Sequence, residues 1–205
     1  MLSGLTGALL GANRQAKDTY KLMTEAPSFK QPRSWADESF SLDDYDLVFL
    51  PGGHDKAIRQ IIDSKRVHDL LLAYFPSIKK PSKKSLAAIC HGVQVLAHAQ
   101  GADGRSVIHD CKTTALPHFM EQSIFQTTRA FLGDYYKTYG SNADSVQQVV
   151  TKSLASKDQF VNSLGLSPFI VEDENYNYLS ARFPPDAEKL AKRAIEVVNE
   201  VTKAS

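Results

Sequence analysis

Cysteine is scarce in this chain: Cys90 and Cys111 are the only two among 205 residues. Two thiols cannot build the disulfide framework on which small secreted domains rely, so the composition fits a reducing, cytoplasmic setting. Long apolar runs are missing as well. No stretch reaches the roughly 20 residues that a membrane-spanning helix needs. The mildly apolar stretch 2–12 is short and lacks the basic residues that precede a signal's apolar core, so no membrane partner is expected. A dominant charge is missing too. Lys and Arg number 24 and Asp and Glu 23, a formal net charge of +1, which argues against nucleic acid or another polyanion as partner. The densest basic run, Lys79, Lys80, Lys83 and Lys84, brackets Pro81 just before a strand and reads as a solvated loop. There are no internal repeats, no low-complexity linker and no close-spaced ligand pair of the kind a metal site uses. No metal and no cofactor are expected.

What is present is an alternation of strand-like and helix-like segments in a length that suits one domain. Residues 1–41 read as an irregular or helical N-terminal segment, most helical over 16–23, and 42–205 as the core. Asp46-Leu47-Val48-Phe49-Leu50 is a continuous apolar run, which predicts a strand covered on both faces, and it ends in the turn Pro51-Gly52-Gly53-His54. Helices are expected over 55–62 and 67–74, then a strand over 86–89 whose following helix closes near Gly101. A strand over 112–116 and a helix over 119–132 come next. The polar stretch 133–166 shows no clear pattern beyond one short strand or helix near 146–150. A hairpin is predicted from 168–172 and 176–180 around Asp173-Glu174-Asn175, and Pro184-Pro185-Asp186 opens a long helix with apolar residues at helical spacing. Alternating elements of this kind predict an α/β fold, a three-layer sandwich with a mostly parallel central sheet. Ligands of such folds bind beyond the carboxyl ends of the strands, where both Gly52-Gly53-His54 and Cys90-His91 fall.

Leu86-Ala87-Ala88-Ile89-Cys90-His91-Gly92-Val93 carries the chemistry. A buried strand runs into a sharp turn and at once into a helix, the pattern of a nucleophile elbow, with the small residues Ala88 and Gly92 flanking the strained position. The helix dipole and the imidazole of His91 are two reasons for Cys90 to be ionised. The bland alternative is a buried structural cysteine ahead of a helix. Backbone amides of Gly53 and of Cys90 or His91 are placed to stabilise an oxyanion, and Gly52 permits the close backbone approach. His54 and His118 are candidate pocket residues, with a surface or supporting role as the alternative, and Cys111 reads as a buried inert thiol.

Tyr45 to His54 followed by Ala87-Ala88-Ile89-Cys90-His91-Gly92 resembles the ThiJ/PfpI family of the class I glutamine amidotransferase-like, flavodoxin-like fold. The hairpin near Asp173 and the segment from Ala181 to Ala187 resemble that family's last strand and its proline-started helix. The adjacent Cys-His matches its glyoxalase III-like branch. The resemblance implies Cys90 as nucleophile, His91 as base and, from the alignment of 113–121 with the segment after the next strand, Glu121 as the acid hydrogen-bonded to the imidazole. A charge favoured in the first turn of a helix is the alternative for Glu121. Members of the family begin with a strand, a helix and a second strand that are not read here, and with them goes a glutamate that contacts the reactive cysteine. A missing first strand would leave a buried sheet edge unpaired. Either the chain is truncated, or its N-terminal segment or a partner subunit, as in a homodimer, covers that edge.

Two functions follow from the resemblance. One is a cofactor-free hydrolase or lyase acting on small reactive carbonyls, with methylglyoxal converted to lactate as its most specific form. The other is a catalytically weakened stress-response protein that binds, chaperones or senses oxidation through Cys90. A glutaminase subunit is weaker, since no downstream His-x-Glu partner and no synthase domain are recognised.

Overall fold

The most apolar stretch of the elbow forms the centre of the sheet. Ser85–Ile89 (β2) is buried along its whole length and pairs in parallel with Leu47–Leu50 (β1) on one side and Tyr178–Ala181 (β4) on the other. Ile170–Glu172 (β3) runs antiparallel to β4, giving the order β1-β2-β4-β3. The computed structural model describes residues 14–203, and side chains as far as 200; the stretch 2–12 thus lies outside the described residues. Two units are distinguished, 1–40 and 41–205. The first holds helices Arg14–Glu25 (α1) and Pro27–Lys30 (α2). In the second follow Arg59–Ile62 (α3), Lys65–Tyr74 (α4), His91–His98 (α5), His118–Leu132 (α6), Val146–Ser153 (α7) and Ala187–Lys203 (α8). Among the described residues no helix is long and apolar enough to cross a membrane.

Because side chains alternate along a strand, β2 feeds two cores. Ala87 and Ile89 pack with Leu179, Ala181, Leu190, Ala194 and Val197, so that α8 covers one face. Leu86 and Ala88 point the other way, into a larger cluster with Leu71 and Tyr74 of α4, Val93 and Leu96 of α5 and Val146 and Val150 of α7. This is the three-layer α/β arrangement. It holds β1 less completely than its apolar run suggested. Helix α8 is centred over β2 and β4, and Phe49 on that side of β1 remains 37% exposed. The free edge is also located. β2 is paired on both sides, whereas β1 is paired on one side among the described residues. The ladder opens with the Ser85 amide donating to the Asp46 carbonyl (2.8 Å), a phase that turns the backbone groups of Leu47 and Phe49 away from β2.

Two sequence expectations fail for identifiable reasons. Residues 112–116 form no strand, only a single parallel bridge between Thr113 and Phe160. Side chains capture the amides that a ladder would use: Lys112 N–H donates to Asp173 Oδ2 (2.9 Å) and Thr114 N–H to Ser180 Oγ (2.9 Å). Helix α5 ends at His98 and not near Gly101, because the Ala99 amide closes the last turn on the carbonyls of Val95 and Leu96. Gly101 instead accepts a turn from Gly104 and donates to Arg105 O (2.9 Å).

Arg182, just past β4, organises the loop for which the sequence offered no pattern. Its guanidinium and the Asp186 carboxylate are both fully buried and doubly bonded, Nη2 to Oδ1 at 2.8 Å and Nε to Oδ2 at 2.9 Å. It also donates to the carbonyls of Ser163, Gly165 (2.8 Å) and Ser167 (2.8 Å) and lies 4.5 Å from the ring centre of Phe183. Burial raises the Asp186 pKa, but hydrogen bonds from Arg182 and from the Phe169 amide outweigh it and hold the carboxyl below its usual range. Arg182→Met takes the counter-ion from a buried carboxylate, which keeps only the amides of Phe169 and Arg182, and the donor from three carbonyls. It should lower the unfolding free energy by about 3–5 kcal/mol, read from urea denaturation. A loss below about 1 kcal/mol would place the pair with dispensable surface ion pairs.

Candidate active site

The site lies where β1 and β2 end side by side. Their parallel register sets Leu50 opposite Ala88, so the turn after β1 and the elbow after β2 share one end of the sheet. At the elbow Cys90 has φ 59° and ψ −125°, the only positive φ of a non-glycine among the described residues. A strained residue of this kind costs about 1–3 kcal/mol and persists only where the surroundings over-determine it. Here they do. The Cys90 amide donates to Ala181 O (3.0 Å), and its carbonyl accepts from Val93 N–H (3.2 Å) in the first turn of α5. Gly92 lies against the end of β1 so closely that a Cβ there would sit 2.2 Å from Leu50 O. A Cβ on Gly52 would meet Cys90 Cβ at 2.5 Å. Both positions are glycine for the space a hydrogen leaves. Gly53, at φ 147°, turns the chain so that its amide, with that of His91, works against the rise in the Cys90 pKa.

His91 is buried and bonded through both ring nitrogens. Nδ1 is 3.4 Å from Cys90 Sγ and Nε2 is 3.0 Å from Thr138 Oγ1. The hydrogen bond expected between Glu121 and the imidazole is not formed. Glu121 is buried at the start of α6, as its alignment placed it, but Oε1 accepts from the Lys137 ammonium (2.9 Å) and Oε2 from the Val146 amide (3.0 Å). Lys137 and Glu121 are 1% and 5% exposed, a charge pair taken wholly out of water. Lys137 and Thr138 were missed in the sequence because they fall in the polar stretch without periodicity. The run Tyr135-Tyr136-Lys137-Thr138-Tyr139-Gly140, aromatic within an otherwise polar segment, is the one signal that marks them.

The resting thiolate expected from the helix terminus and the imidazole is not supported either. Cys90 as a residue is half-buried, and burial pushes its thiol up to about 12, against the pull of the His91 and Gly53 amides and with the Glu121 charge adding to the rise. Burial, with His54 and Lys137 adding to it, lowers His91 to about 4. Thiol and imidazole therefore both rest uncharged at neutral pH.

The remaining candidates separate into two groups. Gly52, Gly53 and Gly92 adjoin Cys90. The His54 ring packs against Tyr135 (4.9 Å between centres) and Tyr136 (4.3 Å), its pKa lowered by burial, and its carbonyl faces Thr138. His118 is bonded elsewhere, through Nδ1 to Ser145 Oγ (2.9 Å). Cys111 is buried, and burial raises its thiol as well. A cavity of about 10 Å³ beside His91, lined by Gln94, Glu121, Lys137 and Tyr139 among others, has room for about one water and none for a substrate. Among the described residues no three His, Cys, Asp or Glu are grouped to hold a metal ion.

A family model described as ThiJ/PfpI family-like matches residues 1–162. The chain belongs to this family. Two uncharacterized proteins of Schizosaccharomyces pombe are similar to it over 94% of its length, at 29% identity over 196 residues and 25% over 197. The chain spans 64% and 60% of those relatives, less than two thirds of either. Among solved structures, glyoxalase III from Candida albicans superposes with a TM-score of 0.65 at 18% identity, over 91% of this chain and 71% of that one. The rapid encystment protein of 24 kDa from Francisella tularensis gives 0.61 at 16% identity, over 96% and 72%. At such identities these likenesses speak for the fold alone.

Two outcomes are expected. Gly92→Ala should cost about 3 kcal/mol in urea denaturation, since the methyl group meets backbone that cannot yield; wild-type stability would mean that α5 can slide off β1. In a Cys111→Ser background, alkylation of Cys90 by iodoacetamide should rise about tenfold per pH unit from pH 7 to 10 without levelling. A plateau below pH 8 would mean that the thiol is already ionised there.

Proposed function

We propose that this chain is a cysteine-dependent, cofactor-free enzyme acting on small reactive carbonyls, in its most specific form converting methylglyoxal to lactate. The observation that carries the reading is the Cys90 sulfur 3.4 Å from the imidazole Nδ1, at a strained elbow where the amides of Gly53 and His91 pull its pKa down. A thiol so placed has a proton acceptor beside it and two amides to draw on for a developing oxyanion.

In this reading the sulfur adds to the aldehyde carbon. The C–S bond forms, the thiol proton passes to His91 Nδ1, and the carbonyl oxygen takes up the electron pair against the two amides. Return of that proton to oxygen gives a hemithioacetal. His91 then moves the C1 hydrogen, as a proton, to C2 by way of an enediol, and the C1 hydroxyl proton passes to the C2 oxygen; C1 becomes a thioester carbonyl and C2 an alcohol. Water cleaves the thioester, releasing lactate and the Cys90 thiol. Methylglyoxal and water are consumed and lactate is formed, with no oxidant or reductant. Glu121 enters as the partner of Lys137, not as a proton carrier. A reducing cytoplasmic setting, which keeps Cys90 available, belongs to the same proposal.

A second reading, a weakened stress-response protein of the same fold, draws on a specific observation. Both Glu121 oxygens are engaged elsewhere and no carboxylate among the described residues is hydrogen-bonded to Sγ, so carbon-to-carbon proton transfer rests on His91 alone. The raised thiol favours binding or chaperoning over redox sensing, because sensor cysteines are those with low pKa values.

Lactate formation from methylglyoxal without glutathione decides between them. The wild type should turn over and Cys90→Ala should lose about 10²-fold or more. Absence of lactate from the wild type between neutral and mildly alkaline pH sinks the enzyme reading. Lactate formation that survives Cys90→Ala sinks the mechanism.

A further inference from the structure

A neutral imidazole carries one ring proton, and the nitrogen that holds it decides whether the ring can act as a base toward Cys90. Nδ1 of His91 faces Sγ at 3.4 Å and Nε2 faces Thr138 Oγ1 at 3.0 Å. Thr138 has a single proton to give and faces a second neighbour, the carbonyl oxygen of His54 at 3.4 Å, which can only accept. One assignment uses every proton once. Thr138 donates to His54 O, it accepts from Nε2–H, and the bare Nδ1 accepts from the Cys90 thiol. The reverse assignment, with Thr138 donating to Nε2, takes its donor from the His54 carbonyl, protonates Nδ1 and removes the acceptor that the thiol needs.

We propose that Thr138 is a positioning residue whose hydroxyl holds His91 in the Nε2–H tautomer, keeping Nδ1 free to take the Cys90 proton. The proposal rests on the cysteine-dependent reading of the site and gives to Thr138 the part that the sequence assigned to Glu121. When the thiol proton crosses to Nδ1, Nε2–H is already on Thr138, so no hydrogen bond in the chain has to turn. The chain also ends on a neutral carbonyl. A carboxylate in that place would favour the imidazolium and hold the pair as ions at rest. Thr138 does not, and the Lys137 charge works against the imidazolium. Glu121 acts at one remove: by binding Lys137 with one oxygen and the Val146 amide with the other, it fixes the segment that carries Thr138.

The test is ¹⁵N-histidine NMR of the substrate-free protein at pH 7, with the His91 ring signals assigned by their loss in His91→Gln. The wild type and Thr138→Ser should show the proton on Nε2. Thr138→Val, which keeps the shape and removes the hydroxyl, should shift the population from Nε2–H toward Nδ1–H. Nδ1–H as the main form in the wild type overturns the proposal, and so does Thr138→Val with an unchanged tautomer. If the valine variant does not fold, the wild-type and serine spectra still decide. None of these readouts needs turnover. A protein that makes no lactate but shows the Nε2–H form and the serine–valine contrast loses the functional reading and keeps this one.

Discussion

The close approach of α5 to the end of β1 is the constraint on which the rest of the site depends. Parallel pairing of β1 and β2 brings two strand ends together, but only a glycine at position 92 lets the helix start against the Leu50 carbonyl. That contact forces the chain to turn within one residue, and the residue left at the turn is Cys90. Strain, thiol and neighbouring amides thus come from one packing decision. The energy that holds the strained residue comes from the sheet, whose central strand is buried on both faces and paired on both edges.

A second constraint comes from charge. A lysine and a glutamate as deeply buried as Lys137 and Glu121 are costly to separate, because each would be left as an unpaired ion in a low-dielectric interior. Their pairing is therefore a reliable tether, though a poor source of net stability. It joins the first turn of α6, the start of α7 and the turn-rich segment before it, and so brings a threonine to His91. The segment has few regular hydrogen bonds of its own, and its position is defined by what its side chains reach.

This explains what could be read from the sequence. β1, β2, the hairpin and the long last helix follow from periodicity and from glycine and proline at their ends, which are local properties. The elbow was legible for the same reason, as strand, turn and helix succeed one another within eight residues from Leu86 to Val93. Lys112 to Leu116 misled because its residues suit a strand, while the acceptors that unravel the ladder, Asp173 and Ser180, lie some sixty residues on. The partner of His91 was hidden in the same way. Glu121 sits where the family pattern puts an acid, but Lys137, sixteen residues later, takes its charge. Contacts made by isolated side chains from aperiodic segments leave no pattern in the sequence.

An uncharged cysteine beside an uncharged base selects among electrophiles. Peroxides react with thiolates, so a sulfur that keeps its proton is a poor target for them. A carbonyl asks for something else: attack on carbon together with charge stabilisation and then a proton on oxygen. In the proposed reaction, the Cys90–His91 pair with the Gly53 and His91 amides supplies these. In the proposed reaction, burial of the thiol trades general reactivity for durability, leaving a nucleophile that survives oxidising conditions and still meets the reactive carbonyls that accompany them.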